Sequence, residues 1–140
     1  LNIFKDLAKE LPQYKWINCN ELNLTKPEYN SLLEQSKMVF SANLQETLGI
    51  SCYEILMAGG MPLVPNRLSY KEMYEDIFKY PTQFTLDWKG YQDNKSILLG
   101  KIETMMENFN SYEIQNAIRS NRQSLLEQYF TATNLYQELQ

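Results

Sequence analysis

The sequence predicts an α/β domain: a parallel sheet with helices on both faces and a helical C-terminus. Two observations carry this. Met38-Val39-Phe40-Ser41 and Pro62-Leu63-Val64-Pro65 are compact apolar runs, the form of buried parallel strands. Stretches of helical periodicity separate them, and strands alternating with helices across short connections build a parallel sheet. Ligands of such sheets bind at the carboxyl ends of the strands. The loops of interest therefore follow Cys19, Ser41 and Pro65.

In chain order, Asn2 to Leu11 is an amphipathic helix with Ile3, Phe4, Leu7 and Leu11 on one face, stopped by Pro12. Tyr14 to Cys19 is a strand candidate centred on Trp16 and Ile17. Thr25 has the form of an N-cap, with Pro27 in the first turn and Glu28 three residues on, opening a helix to about Gln35. After the Met38 to Ser41 strand, a polar stretch from Ala42 to Thr47 enters a helix from about Leu48, which Gly59-Gly60 ends. The Pro62 to Pro65 strand precedes a helix from about Ser69 to Phe78 and a further strand candidate at Gln83 to Leu86. From Asp93 the pattern is helical, with breaks near Asn108 to Ser111 and Phe130 to Thr133.

The 140 residues suit one domain, residues 1–140, with a sizeable core. The net charge of -4 argues against a basic nucleic-acid-binding face. No apolar run approaches the roughly 20 residues of a membrane-spanning helix. Cys19 and Cys52 fit no metal-ligand spacing and read as reduced thiols of a cytoplasmic protein. The absence of histidine excludes a histidine base or metal ligand, and with it a Ser-His-Asp hydrolase built from this segment alone.

The stretch that carries chemistry runs from Ser41 to Pro62 as strand, loop, helix, turn and strand. Glu54 lies within a helix apolar nearly all round, where a lone carboxylate costs several kcal/mol unless paired or facing a wet cleft. It is either a structural glutamate, salt-bridged or at the helix edge, or an acceptor for a ligand's hydroxyls. A ribose diol suits the second reading, since two adjacent O–H donors match two carboxylate oxygens. At the helix start, the amides of Thr47, Leu48, Gly49 and Ile50 have no partner inside the helix and suit a phosphate. Glu46 stands just before them, either as an acid favoured by the helix dipole or as a ligand for a sugar. The spacing of two glutamates decides nothing at this composition; their placement across strand, loop and helix is what counts.

Glu46-x7-Glu54, Gly49, and the Ala58-Gly59 turn before Pro62 resemble the signature of retaining GT-B glycosyltransferases of the group 1 family, E-x-F-G-x-x-x-x-E-A-x-A-x-G-x-P. Leu48 replaces the common Phe, Ile55 replaces an Ala, and one extra residue precedes Pro62. That residue and the run Pro62-Leu-Val-Pro65-Asn66-Arg67-Leu68-Ser-Tyr70-Lys-Glu72 resemble the tRNA-queuosine mannosyltransferase branch, Y-P-L-x-P-N-R-L-x-Y-P-E. The likeness covers about Tyr29 to Tyr74.

The resemblance implies a Rossmann-like, nucleotide-sugar-binding C-terminal half of a GT-B fold. It implies that Glu46, as the catalytic-site acid, contacts the donor-sugar hydroxyls. The backbone of Thr47, Leu48 and Gly49 holds the diphosphate, Glu54 binds the ribose, and the loop near Asn20 faces the base. The donor is a UDP- or GDP-sugar, with no metal and no cofactor, and transfer retains anomeric configuration without a protein nucleophile. The branch suggests GDP-mannose and RNA, but a glycan, a lipid-linked glycan or a protein serves equally as acceptor. The first strand with its basic phosphate ligands, and the N-terminal acceptor domain, are expected upstream of Leu1, so this segment alone is expected to be inactive. Two other readings remain: a nucleotide-sugar epimerase of the same architecture, and a non-catalytic Rossmann-like interaction module. Arg67 is expected as a surface cation, with charge offered to the cleft as its alternative, and Glu72 as a solvated acid, with the phosphate-side loop as its alternative; Tyr70, Tyr74, Phe78 and Tyr80 are expected as packing residues.

Overall fold

All five residues of β2 (Met61–Pro65) are buried, as the uninterrupted apolar run requires. It is the central strand of a three-stranded parallel sheet ordered β1-β2-β3, flanked by β1 (Met38–Phe40) and β3 (Lys79–Tyr80). The computed structural model describes residues 2–18, 23–42, 50–67 and 70–139. Two prolines in a central strand need an explanation, because proline donates nothing to a ladder. Odd residues of β2 bond towards β1, where the Ser41 amide donates to the Leu63 carbonyl. Even residues bond towards β3, where the Asn66 amide donates to the Tyr80 carbonyl. Pro62 precedes the first β3 pairing, Val64 with Lys79, and Pro65 follows the last β1 pairing, Leu63 with Phe40. Each missing amide hydrogen therefore falls where the neighbouring strand is absent.

Helices α1 (Asn2–Glu10), α2 (Lys26–Gln35) and α3 (Ile50–Met57) form where sequence periodicity and capping place them. The Thr25 hydroxyl accepts from the Glu28 amide and the Glu28 carboxylate accepts from the Thr25 amide, a complete capping box. At the other end of the α3 segment, Gly59 takes φ 96°. Its amide donates to Leu56 and that of Gly60 to Ile55, closing a Schellman motif that turns the chain straight into β2.

Several expectations fail. Among residues 14–18 there is no strand: the Trp16 indole donates to the Leu11 carbonyl at 2.8 Å and its ring meets Phe4 edge-on, so the segment packs as a loop against α1. Helix α4 stops at Tyr70–Met73 instead of running to Phe78. The buried Asn121 side chain, from α6 (Tyr112–Leu139), donates to the Met73 carbonyl and accepts from the Glu75 amide, both at 2.8 Å, replacing the bonds a longer helix would make. A 3-10 turn at Asp76–Phe78 then feeds β3. The Gln83 to Leu86 candidate is no strand either; Thr82–Phe84 is a second 3-10 turn. Helix α5 (Trp88–Glu107) starts earlier than expected, because the Asp87 carboxylate caps it through the Gly90 amide. Helix α6 (Tyr112–Leu139) continues through 130–133 without a break.

The core lies where α1, α3, α5 and α6 meet the sheet, with Leu7, Leu56, Leu63, Phe78, Tyr91, Leu98, Ile102 and Ile118 among its most enclosed members. Tyr91 and Lys95 of α5 clasp α1: the Tyr91 hydroxyl donates to Asp6 at 2.6 Å, and the Lys95 ammonium pairs with Asp6 at 2.8 Å and Glu10 at 3.3 Å. Among the described residues no helix is long and apolar enough to cross a membrane.

Candidate functional site

The carboxyl ends of three parallel strands form one rim, made here by Ser41 and Ala42 after β1, Asn66 and Arg67 after β2, and Pro81 to Thr85 after β3. Under it lies an aromatic floor. Phe40 stacks on Tyr80 with centroids 5.7 Å apart, and Tyr80 stacks on Phe84 at 6.3 Å. The Tyr80 hydroxyl donates to the Ser41 carbonyl and lies 3.0 Å from the Thr85 hydroxyl, so a side chain of β3 holds the exit of β1. Burial pushes the Tyr80 phenol well above its ordinary range, and it stays neutral.

Arg67 is not the solvent-exposed cation expected from sequence. It is partly buried, and its guanidinium reaches both flanking exits. One terminal nitrogen donates to the Thr82 carbonyl and to the Thr82 hydroxyl, each at 3.0 Å. The other donates to the Ala42 carbonyl at 3.1 Å. Burial lowers its pKa, but from so high a starting value that the guanidinium remains charged at neutral pH.

Glu54 lies on the second turn of α3, half-buried. Its Oε1 accepts a hydrogen bond from the Tyr29 hydroxyl of α2 at 3.3 Å. Among the described residues no lysine or arginine forms an ion pair with it, so the salt-bridged reading has no partner there. Among the described residues its hydrogen-bond partner is this one phenol, and a carboxylate so held keeps most of its acceptor capacity for a ligand.

Asn20, Glu46, Thr47, Leu48 and Gly49, like Cys19, lie outside the described residues. What brackets them is described: Ala42 leaves β1 on one side and Ile50 opens α3 on the other. Glu54 thus stands on the helix that follows β1 in the chain. Cys52, two residues before Glu54 on α3, is buried, and its thiol is pushed up to about 12 by that burial, which removes it as a nucleophile at neutral pH. Glu72 is solvent-exposed as expected, and Tyr70, Tyr74, Phe78 and Tyr80 pack in the core.

An open acidic cleft lined by Glu75, Asp76, Ile77, Glu113, Asn116 and Ala117 lies at the amino end of β3. That is the wrong end of the sheet for a ligand of this architecture. Asp76 is moreover paired to Lys79 at 3.0 Å. Among the described residues no group of three histidine, cysteine or acidic side chains is arranged to hold a metal ion.

Sequence reading missed the roles of Arg67 and Tyr80. A basic residue two positions beyond a buried parallel strand was the available signal, since the strand's carboxyl end is where charge is put to use. No protein-family model, curated protein or solved structure matches the chain.

Proposed function

We propose that this chain is the Rossmann-like, donor-nucleotide-binding part of a retaining glycosyltransferase of GT-B architecture, acting in the cytoplasm on a UDP- or GDP-sugar. One observation supports the reading most. The half-buried Glu54 carboxylate has a phenol and no cation as its described partner, on the helix that leads from the carboxyl end of β1. A ribose diol supplies the hydrogen-bond donors that such a carboxylate lacks.

In this reading the diphosphate sits on the amides of Thr47, Leu48 and Gly49, Glu46 holds the sugar hydroxyls, and Asn20 lies near the base. The bond from the anomeric carbon to the phosphate oxygen breaks. A bond to the acceptor oxygen forms on the same face, and the acceptor proton passes to the departing phosphate. The chain contributes binding and orientation, and the acceptor is held by a further domain.

Equilibrium titration with UDP and GDP tests the proposal. One of the two is expected to bind, and Glu54→Gln to weaken it roughly tenfold or more, the loss expected for hydrogen bonds to a charged group. If neither nucleotide binds, or Glu54→Gln binds as well as wild type, the proposal is wrong.

A further inference from the structure

The Glu54 carboxylate is met by a side chain whose own backbone is firmly anchored. Tyr29 closes the first turn of α2, where its amide donates to the Thr25 carbonyl at 2.9 Å, and the capping box of Thr25 and Glu28 holds the same turn. Leu33, one turn further along that face, is buried, so this side of α2 is turned into the molecule. From here the half-buried Tyr29 sends its hydroxyl to Glu54 Oε1 on α3, 3.3 Å away and 25 residues on in sequence.

A glutamate has three side-chain torsions, and ordering it when a ligand arrives costs roughly two- to tenfold in affinity. A phenol already bonded to one oxygen removes part of that cost. The bond is longer than the usual O–H···O distance of about 2.5–3.0 Å, so it steers the carboxylate more than it holds it. It uses one of about four lone-pair sites and brings no positive charge, whereas a lysine or arginine in its place would compete with incoming hydroxyls for the same oxygens.

We propose that Tyr29 is the positioning residue of the Glu54 subsite, its hydroxyl setting the orientation in which the carboxylate receives two adjacent ligand hydroxyls. This role rests on the function proposed above and involves only side chains of α2 and α3. Tyr29 acts through the acid, with no contact to the ligand required.

Tyr29→Phe removes the hydroxyl and keeps the ring. The nucleotide that binds wild type and its 2′,3′-dideoxy form are titrated into wild type, Tyr29→Phe, Glu54→Gln and the double variant. Tyr29→Phe is expected to weaken the ribonucleotide roughly three- to tenfold and the dideoxy form by about twofold at most. It is expected to add no further loss once Glu54→Gln is present. The ratio of the two affinities within one protein does not depend on its folded fraction, so a purely structural defect leaves that ratio at the wild-type value. An unchanged ratio, wild-type affinity in Tyr29→Phe, or losses that add in the double variant overturns the positioning role. Ribonucleotide binding that Glu54→Gln weakens but Tyr29→Phe leaves intact rejects that role alone. A wild type that binds no nucleotide, or a Glu54→Gln that binds as wild type does, rejects the functional proposal and this role with it.

Discussion

Replacing Tyr80 by phenylalanine removes one oxygen from the most enclosed part of the rim. The ring stays between Phe40 and Phe84, so no cavity opens. What is lost is the donor to the Ser41 carbonyl and the partner of the Thr85 hydroxyl, both buried. A buried polar group left without its partner costs about 1–3 kcal/mol. The Thr85 hydroxyl can rotate and the Ser41 carbonyl cannot, so the carbonyl's loss dominates and the cost is about 1–3 kcal/mol, a large part of a typical domain stability. For a chain of this length the unfolding temperature falls by roughly 3–9 °C. Tyr74→Phe is the matched control: its hydroxyl is buried with no hydrogen-bond partner among the described residues, so the same chemical change there is expected to be neutral or stabilising. Urea unfolding followed by circular dichroism, with unchanged m-value, measures both. Equal costs for the two variants would refute the assignment of the Tyr80 hydroxyl as the fastening of the β1 exit.

The clasp between α1 and α5 makes a pH-dependent prediction. Hydrogen bonds from Lys95 and then Tyr91 hold the Asp6 carboxyl below its ordinary value of 3.8. A depressed carboxylate stabilises the fold above its unfolded-state pKa, and that stability is lost as pH falls through the folded value. Asp6→Asn is therefore expected to destabilise at pH 7, with the difference from wild type shrinking as pH falls below 3.8 in parallel urea titrations. Two glycines of α5 separate cleanly. A Cβ at Gly90 would lie 2.2 Å from the Gln83 carbonyl oxygen, so Gly90→Ala is expected to cost about 1–3 kcal/mol or more. At Gly100 a Cβ meets nothing within 4 Å, and Gly100→Ala is expected to stabilise by about 0.5–1 kcal/mol in thermal unfolding.

What could be read from the sequence was what local chemistry decides. The Thr25 capping box, the Gly59 turn and the strands at Met38 (half-buried) and Met61 (buried) each depend on residues within a few positions of one another. The sequence does not reveal what distant residues decide. Helix α4 ends because Asn121 takes the Met73 carbonyl and the Glu75 amide from 48 and 46 residues away. Residues 83–86 carry the same alternating apolar signal as a strand, yet it is Lys79 and Tyr80 that pair with Val64 and Pro65, since strand identity is settled by the partner. Residues 14–18 have apolar, strand-like residues but their packing goes to α1. At Phe130 to Thr133 the two threonines weaken a helix by only a few tenths of a kcal/mol each, too little to stop α6. In the site, Glu54 was legible from its burial against its charge. Arg67 was not, because its importance lies in bonds to Ala42 and Thr82, beyond the ends of other strands.

The central claim is that Glu54 receives ribose hydroxyls, and a double-perturbation binding measurement addresses it directly. Wild type and Glu54→Gln are each titrated with the ribonucleotide that binds and with its 2′-deoxy and 3′-deoxy forms. The account predicts that removing a hydroxyl weakens binding to wild type by about tenfold and leaves binding to Glu54→Gln nearly unchanged, because the interaction is already gone. Equal losses in both proteins would contradict it.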